Sequence, residues 1–257
     1  MSVVEEITGG WDSRAFLVDG TWLDREPRRP EVRERLIVET RLMPWLAPHL
    51  PLPVPEPVVL RDEPLRVRHR WVPGEAAQQL TGSQGATLGR FLRALHAVDV
   101  PAAVALGVAD QDAAFDELYS SLTRFRQDVL PRVSPDLRAA ARSLLDRVGQ
   151  PVPDPALVHG DVGPAHVLLV DGSISGVIDW TDARIGDRAL DLAWLVNGSG
   201  AGDAAAAAYG ADDALLARAN DWHLLGPWHE VTYGLDTGQP ALVGSGMGGV
   251  CSRLNSG

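Results

Sequence analysis

Residues 157–194 read LVHGDVGPAHVLLVDGSISGVIDWTDARIGDRALDLAW, and the way this stretch must turn decides the architecture. Leu157 and Val158 read as a short strand, followed by the polar loop His159-Gly160-Asp161. Residues 167–170 make a second strand, Asp171 and Gly172 a turn, and residues 176–178 a third strand that delivers Asp179 and Trp180. An Asp-Gly pair between two β-branched runs signals a hairpin, because its two central residues tolerate positive φ. A hairpin brings its ends together, so Asp161, His166 and Asp179 are expected to converge. Two carboxylates and an imidazole at one place suit a divalent cation and a general base, since hard cations take carboxylate oxygen and a base must sit beside the reacting hydroxyl.

Upstream, residues 1–73 read as a small β-rich lobe with one helix. A glycine turn at Gly9-Gly10 links two strands, and Asp19-Gly20 turns into a further strand over residues 21–25. Apolar residues at Val32, Leu36, Val38, Leu42, Met43 and Leu46 follow helical spacing over residues 31–46, with Pro30 suited to the helix start and Pro44 expected to kink its end. Pro51, Pro53, Pro55 and Pro57 make an extended connector into an antiparallel strand pair, which Pro73-Gly74 closes. Downstream, helices are expected from Thr87, over residues 112–129 and 135–148, around Asp191, and over residues 212–225 and 227–235. Residues 244–249, rich in glycine, read as loose.

The motifs HGDVGPAH (159–166) and IDWTDA (178–183), followed by Gly186-Asp187 and Asp191-Leu192-Ala193, resemble the aminoglycoside and macrolide phosphotransferases. His at position 166, where most of that family carries Asn, is similar to the macrolide branch. The resemblance implies a two-lobe, protein-kinase-like α+β fold, with residues 1–73 as nucleotide-binding lobe and 74–257 as catalytic and substrate-binding lobe. It implies transfer of the γ-phosphoryl group of GTP or ATP to a small-molecule hydroxyl, first of all the 2'-hydroxyl of a macrolide amino sugar. An aminoglycoside or an endogenous amino alcohol or sugar is the alternative acceptor.

By the same resemblance Asp161 is the catalytic base, and His166 and Asp179 hold Mg²⁺. Arg25 and Glu39 stand where a Lys–Glu pair holds the nucleotide phosphates. Gly10 and Ser13 belong to the loop over the phosphates, and Arg70, Trp71 and Val72 form the hinge that reads the base. His159 supports the catalytic loop and Asp191 fixes its backbone, although a helix-start Asp also serves as an N-cap. Asp182, Asp187, Glu230 and Asp236 are candidate acceptor-binding acids, since carboxylates and aromatic faces both attract an amine. The remaining histidines read as structural. Asp24 and Glu26 flank Arg25, and strand alternation places them on the opposite face.

A net charge of −11 argues against a nucleic-acid partner. All 23 basic residues are Arg, so the nucleotide lysine usual in kinases has no counterpart. The single cysteine, Cys251, excludes an internal disulfide. With no apolar leader and no apolar run long enough to span a bilayer, a monomer in the cytoplasm is expected. Two other readings compete with a kinase. One is a nucleotide-binding pseudoenzyme; the other is a metal-dependent hydrolase built on His159, Asp161, His166 and Asp179.

Overall fold

The computed structural model describes residues 3–7 and 12–256; Gly9 and Gly10 lie outside them. The first part is an antiparallel sheet of β1 (Val4–Ile7), β2 (Ser13–Val18), β3 (Trp22–Pro27), β4 (Val58–Arg61) and β5 (Arg66–Arg70), with α1 (Pro30–Leu46) between β3 and β4. Its strand order is β1-β2-β3-β5-β4. The β2–β3 hairpin turns at Asp19 and Gly20, both at positive φ. Helix α1 runs through Pro44 to Leu46, because a proline in the last turn removes a single amide donor.

The rest is mixed and mostly helical. β6 (Glu75–Ala76) leads to α2 (Gly82–Leu95), α3 (Val100–Ala105), α4 (Gln111–Arg124) and α5 (Arg138–Val148). Then come β7 (Ala156–Val158), β8 (Val167–Val170), β9 (Ser173–Val177), β10 (Arg184–Gly186), α6 (Arg188–Asn197), α7 (Gly202–Tyr209), α8 (Asp213–Asp236) and α9 (Pro240–Ser256). The expected hairpin is β8–β9, with Asp171 and Gly172 both at positive φ. Helix α2 begins five residues before Thr87, at a capping box in which Thr81 and Gln84 satisfy each other's backbone amides. Asp99, as N-cap of α3, accepts from Ala102 at 2.7 Å.

Two expectations about the C-terminal part are corrected. Residues 213–236 form one helix through Pro227 rather than two, and residues 244–249 are helical. Glycine there serves packing: a Cβ on Gly246 would meet the backbone and side chain of Val231, so its absence lets α9 lie close on α8. Tertiary contact thus overrides the low helix propensity of the run.

Leu42, Met43 and Leu46 of α1 share one apolar core with Leu88, Phe91 and Leu92 of α2, Leu157, Val167, Val177, Trp180 and Leu192. The helix of the first part therefore shares a core with the strands that flank the HGD and IDW motifs. A second core joins Phe125 and Leu144 to Trp228, Val231 and Val250. Among the described residues no helix is long and apolar enough to cross a membrane.

Candidate active site

β7 runs into His159-Gly160-Asp161, and Asp191 at the start of α6 fixes that loop. The Asp191 carboxylate is fully buried and accepts from the backbone amides of His159 (2.8 Å) and Gly160 (2.9 Å) and from Nε2 of His96 (3.0 Å). Burial opposes its charge, but these donors outweigh burial and hold it below its ordinary pKa. The N-cap of α6 is Asp187, which accepts from Ala189, and not Asp191. His159 Nε2 donates to the carbonyl of Ile178 (3.0 Å) while Nδ1 accepts from the amide of Asp161 (3.2 Å), which ties the HGD loop to the end of β9. Burial lowers the His159 pKa and keeps the ring neutral, as that bonding requires. Gly160 has φ +90°, and a Cβ there would meet the Asp182 carbonyl.

Asp161, His166 and Asp179 do converge. His166 Nδ1 donates to the Asp161 carbonyl at 2.7 Å and lies 3.4 Å from its carboxylate. That bond turns Nε2, with its lone pair, toward Asp179 Oδ2 at 3.8 Å. The gap is too wide for a hydrogen bond and leaves both atoms free to share an ion. Among the described residues no group of three or more His, Cys, Asp or Glu is placed to hold a metal. Two protein ligands fit Mg²⁺, which keeps waters and takes substrate phosphates to complete its octahedron. Burial raises the pKa of Asp161, as suits a base.

Asp179 has φ +62°, a left-handed conformation unfavourable to a non-glycine residue. Its Oδ1 is held by Thr181 Oγ1 (2.7 Å) and Arg25 Nη2 (3.3 Å). Burial would raise this carboxyl, but Arg25, Thr181 and His166 bring it down to about 2. Arg25 Nη1 reaches both oxygens of Glu39, at 3.1 and 2.9 Å, and Nη2 also donates to Thr181 Oγ1 at 2.8 Å. A guanidinium spans both carboxylates with two nitrogens, where a Lys offers one. The flanking acids do not compete: Asp24 is paired with Arg68, and Glu26 with Arg66. Thr181, named only within IDWTDA by the sequence, closes this network.

Ser13 is buried, and its Oγ has no hydrogen-bond partner among the described residues; Gly10 lies outside them. The hinge expectation narrows. The Trp71 amide donates to Thr21 in the sheet at 2.8 Å and the Arg70 carbonyl meets His69 Nδ1 at 2.8 Å. Among the described residues neither the amide nor the carbonyl of Val72 has a hydrogen-bond partner, and the Trp71 carbonyl has none either.

Beside Asp161 opens a cavity of about 700 Å³ between α4, β10 and α8. Five carboxylates (Glu117, Asp161, Asp182, Asp187, Glu230) and one guanidinium (Arg184) line it, with Phe115, Leu118, Ile185, Trp222 and Leu225 as apolar walls. One candidate acid lies apart from the cavity and another faces it with its carboxylate already engaged. Asp236 does not line this cavity; its carboxylate is held by Arg124 at 2.6 and 2.7 Å. Asp187 reaches the wall but is buried and committed to the α6 cap, Arg218 and Trp222 Nε1. Glu230 is held by Ser245, and Asp182 by Arg35. Glu117, absent from the sequence reading, lies on an exposed face of α4 with no local motif to mark it.

A family model described as "Phosphotransferase enzyme family" matches residues 3–228. The uncharacterized protein YcbJ of Bacillus subtilis (strain 168) is 26% identical over 195 residues, which cover 66% of this chain and 61% of that one. Viomycin phosphotransferase of Streptomyces vinaceus is 39% identical over 87 residues, 32% of this chain and 30% of its own. The chain thus matches less than two thirds of the length of these curated relatives. Among solved structures, the GDP and kanamycin complex of APH(2")-IIia superposes with a TM-score of 0.87 at 22% identity, covering 99% of this chain and 93% of that one. Macrolide 2'-phosphotransferase MphH from Brachybacterium faecium gives a TM-score of 0.75 at 27% identity, with 96% and 91% covered.

Proposed function

The chain belongs to the phosphotransferase enzyme family, and on that premise we propose that it transfers the γ-phosphoryl group of GTP or ATP to a hydroxyl of a cationic, antibiotic-like acceptor. The observation that carries this reading is the position of Asp161 on the wall of a cavity lined by five carboxylates and one guanidinium. Such a field concentrates a cation, and its apolar walls suit an acceptor with a hydrophobic body.

Asp161, its pKa raised by burial, accepts the proton of the acceptor hydroxyl as the oxygen attacks the γ-phosphorus, and the nucleoside diphosphate leaves. Arg25, held by Glu39, faces the phosphates beside Asp179. His166 Nε2 and Asp179 Oδ2 would hold Mg²⁺, which when bound neutralises charge on the transferring phosphates. Val72 offers its free backbone groups to the base, and Ser13 its hydroxyl to a phosphate.

For the acceptor we favour the 2'-hydroxyl of a macrolide amino sugar. The HGDVGPAH and IDWTDA motifs support it, and so does likeness to macrolide 2'-phosphotransferase MphH. The kanamycin complex and the viomycin relative support a kanamycin-like or viomycin-like acceptor instead. Mass spectrometry of erythromycin, kanamycin and viomycin, incubated together with Mg²⁺ and either nucleotide, separates these readings. Gain of one phosphoryl group by erythromycin is expected. Phosphorylation of kanamycin or viomycin alone would move the acceptor while leaving the chemistry in place.

A further inference from the structure

The acceptor wall and the phosphate-binding arginine are both held by α1. Glu39 of α1 grips Arg25 at 2.9 Å. One turn earlier on the same helix, and therefore on the same face, Arg35 reaches the opposite way. Its Nη1 donates to Asp182 Oδ1 at 2.8 Å and its Nη2 to Glu117 Oε1 at 2.9 Å. Asp182 follows the IDW motif, and Glu117 is on α4, so a single guanidinium joins α1 to two separate parts of the acceptor wall.

The geometry leaves these carboxylates open to a ligand. Arg35 takes one oxygen of each, while Asp182 Oδ2 and Glu117 Oε2 have no hydrogen-bond partner among the described residues. Both residues line the large cavity as well as a smaller one of about 180 Å³ beneath α1; Arg35 lines only the smaller. Arg35 therefore holds them from behind. The side chain of Glu117 is 59% exposed, so nothing else fixes its rotamer as firmly as this fork.

We propose that Arg35 is a positioning residue that couples the two substrate sites, setting Glu117 and Asp182 for the acceptor's cation from the same helix whose Glu39 holds Arg25 at the nucleotide site. The inference rests on the kinase reading, since it requires a nucleotide at Arg25 and Asp179. Nucleotide bound at Arg25 and Asp179 adds to what holds α1, and through the Arg35 fork to what holds α4. Arg35→Met removes the fork and keeps the aliphatic stem. Glu117→Gln removes one prong and leaves Arg35 in place.

Hydrogen exchange of residues 111–124, with and without a non-hydrolysable nucleotide and Mg²⁺, tests the coupling without any acceptor. Nucleotide affinity is measured alongside by calorimetry. Wild type should gain protection in this segment on nucleotide binding. Arg35→Met should bind nucleotide within about twofold of wild type and lose that gain. With an acceptor that turns over, Arg35→Met should raise acceptor KM about fivefold with little change in kcat, Glu117→Gln by no more than that, and the double variant should add nothing to Arg35→Met. A merely structural role would lower Tm and shift all constants together. The proposal is overturned if nucleotide binds but wild type shows no added protection, or if Arg35→Met keeps it. If nucleotide does not bind at all, the kinase reading falls and this coupling falls with it.

Discussion

Replacing Arg25 with Met would strip the one cation from a buried carboxylate, and its cost can be worked from the site. Glu39 is 3% exposed, accepts two hydrogen bonds from Arg25, and burial already holds its pKa above the ordinary value. Without Arg25 the carboxyl has a cheaper course than remaining charged: it protonates on folding. An unfolded Glu has a pKa of about 4.3, so neutralising it costs about 1.4 kcal/mol for every pH unit above that value. The penalty of the substitution is then at most about 4 kcal/mol near pH 7 and at most about 1.6 kcal/mol near pH 5.5, because wild type already carries the part set by its own raised Glu39 pKa. The sign follows from linkage. A carboxyl whose folded pKa is raised makes folding less favourable as pH climbs past its unfolded pKa, and the loss is recovered as pH falls. Urea unfolding of wild type and Arg25→Met at the two pH values reads both numbers. A cost under about 1 kcal/mol near pH 7, or one that does not shrink on acidification, would refute the argument.

Gly160→Ala should lose about 2–3 kcal/mol of stability and most turnover, because φ +90° is strained for an L-residue and the new methyl meets the Asp182 carbonyl; wild-type melting and rate would contradict this. His166→Asn, which keeps a ligating oxygen, should retain more metal-nucleotide affinity by calorimetry than His166→Ala, and equal loss in both would remove His166 from the metal. Asp236→Asn should leave acceptor KM within about twofold of wild type, since that carboxylate faces Arg124 away from the cavity. Asp182→Asn should raise it, and the reverse pattern would restore Asp236 as an acceptor ligand.

What the sequence disclosed depended on whether a feature is local. The β8–β9 hairpin was legible because Asp171-Gly172 carries its own backbone requirement, and convergence of Asp161, His166 and Asp179 followed from it. The position of Asp24 and Glu26 opposite Arg25 followed from strand alternation. Helix α9 was not legible, since its glycines lower local propensity and only the neighbouring α8 explains them. The capping box Thr81–Gln84 was a local signal for the start of α2 that a search for apolar periodicity passed over. Glu117 and Arg35 are far apart in sequence, and nothing short of the packed structure pairs them. Asp187 and Asp191 share one helix turn, and their roles separate only when the cap and the loop amides are seen.

The central claim is that Asp161 takes the proton of an acceptor hydroxyl during phosphoryl transfer. Its most direct test follows a radiolabelled γ-phosphate from nucleotide to the acceptor identified by mass spectrometry, in wild type and in Asp161→Asn, with nucleotide affinity measured on the same preparations. Asp161→Asn should bind nucleotide as wild type does and transfer label about 10²- to 10⁴-fold more slowly, the usual worth of a general base. Transfer at the wild-type rate by that variant, with nucleotide affinity unchanged, would contradict the account.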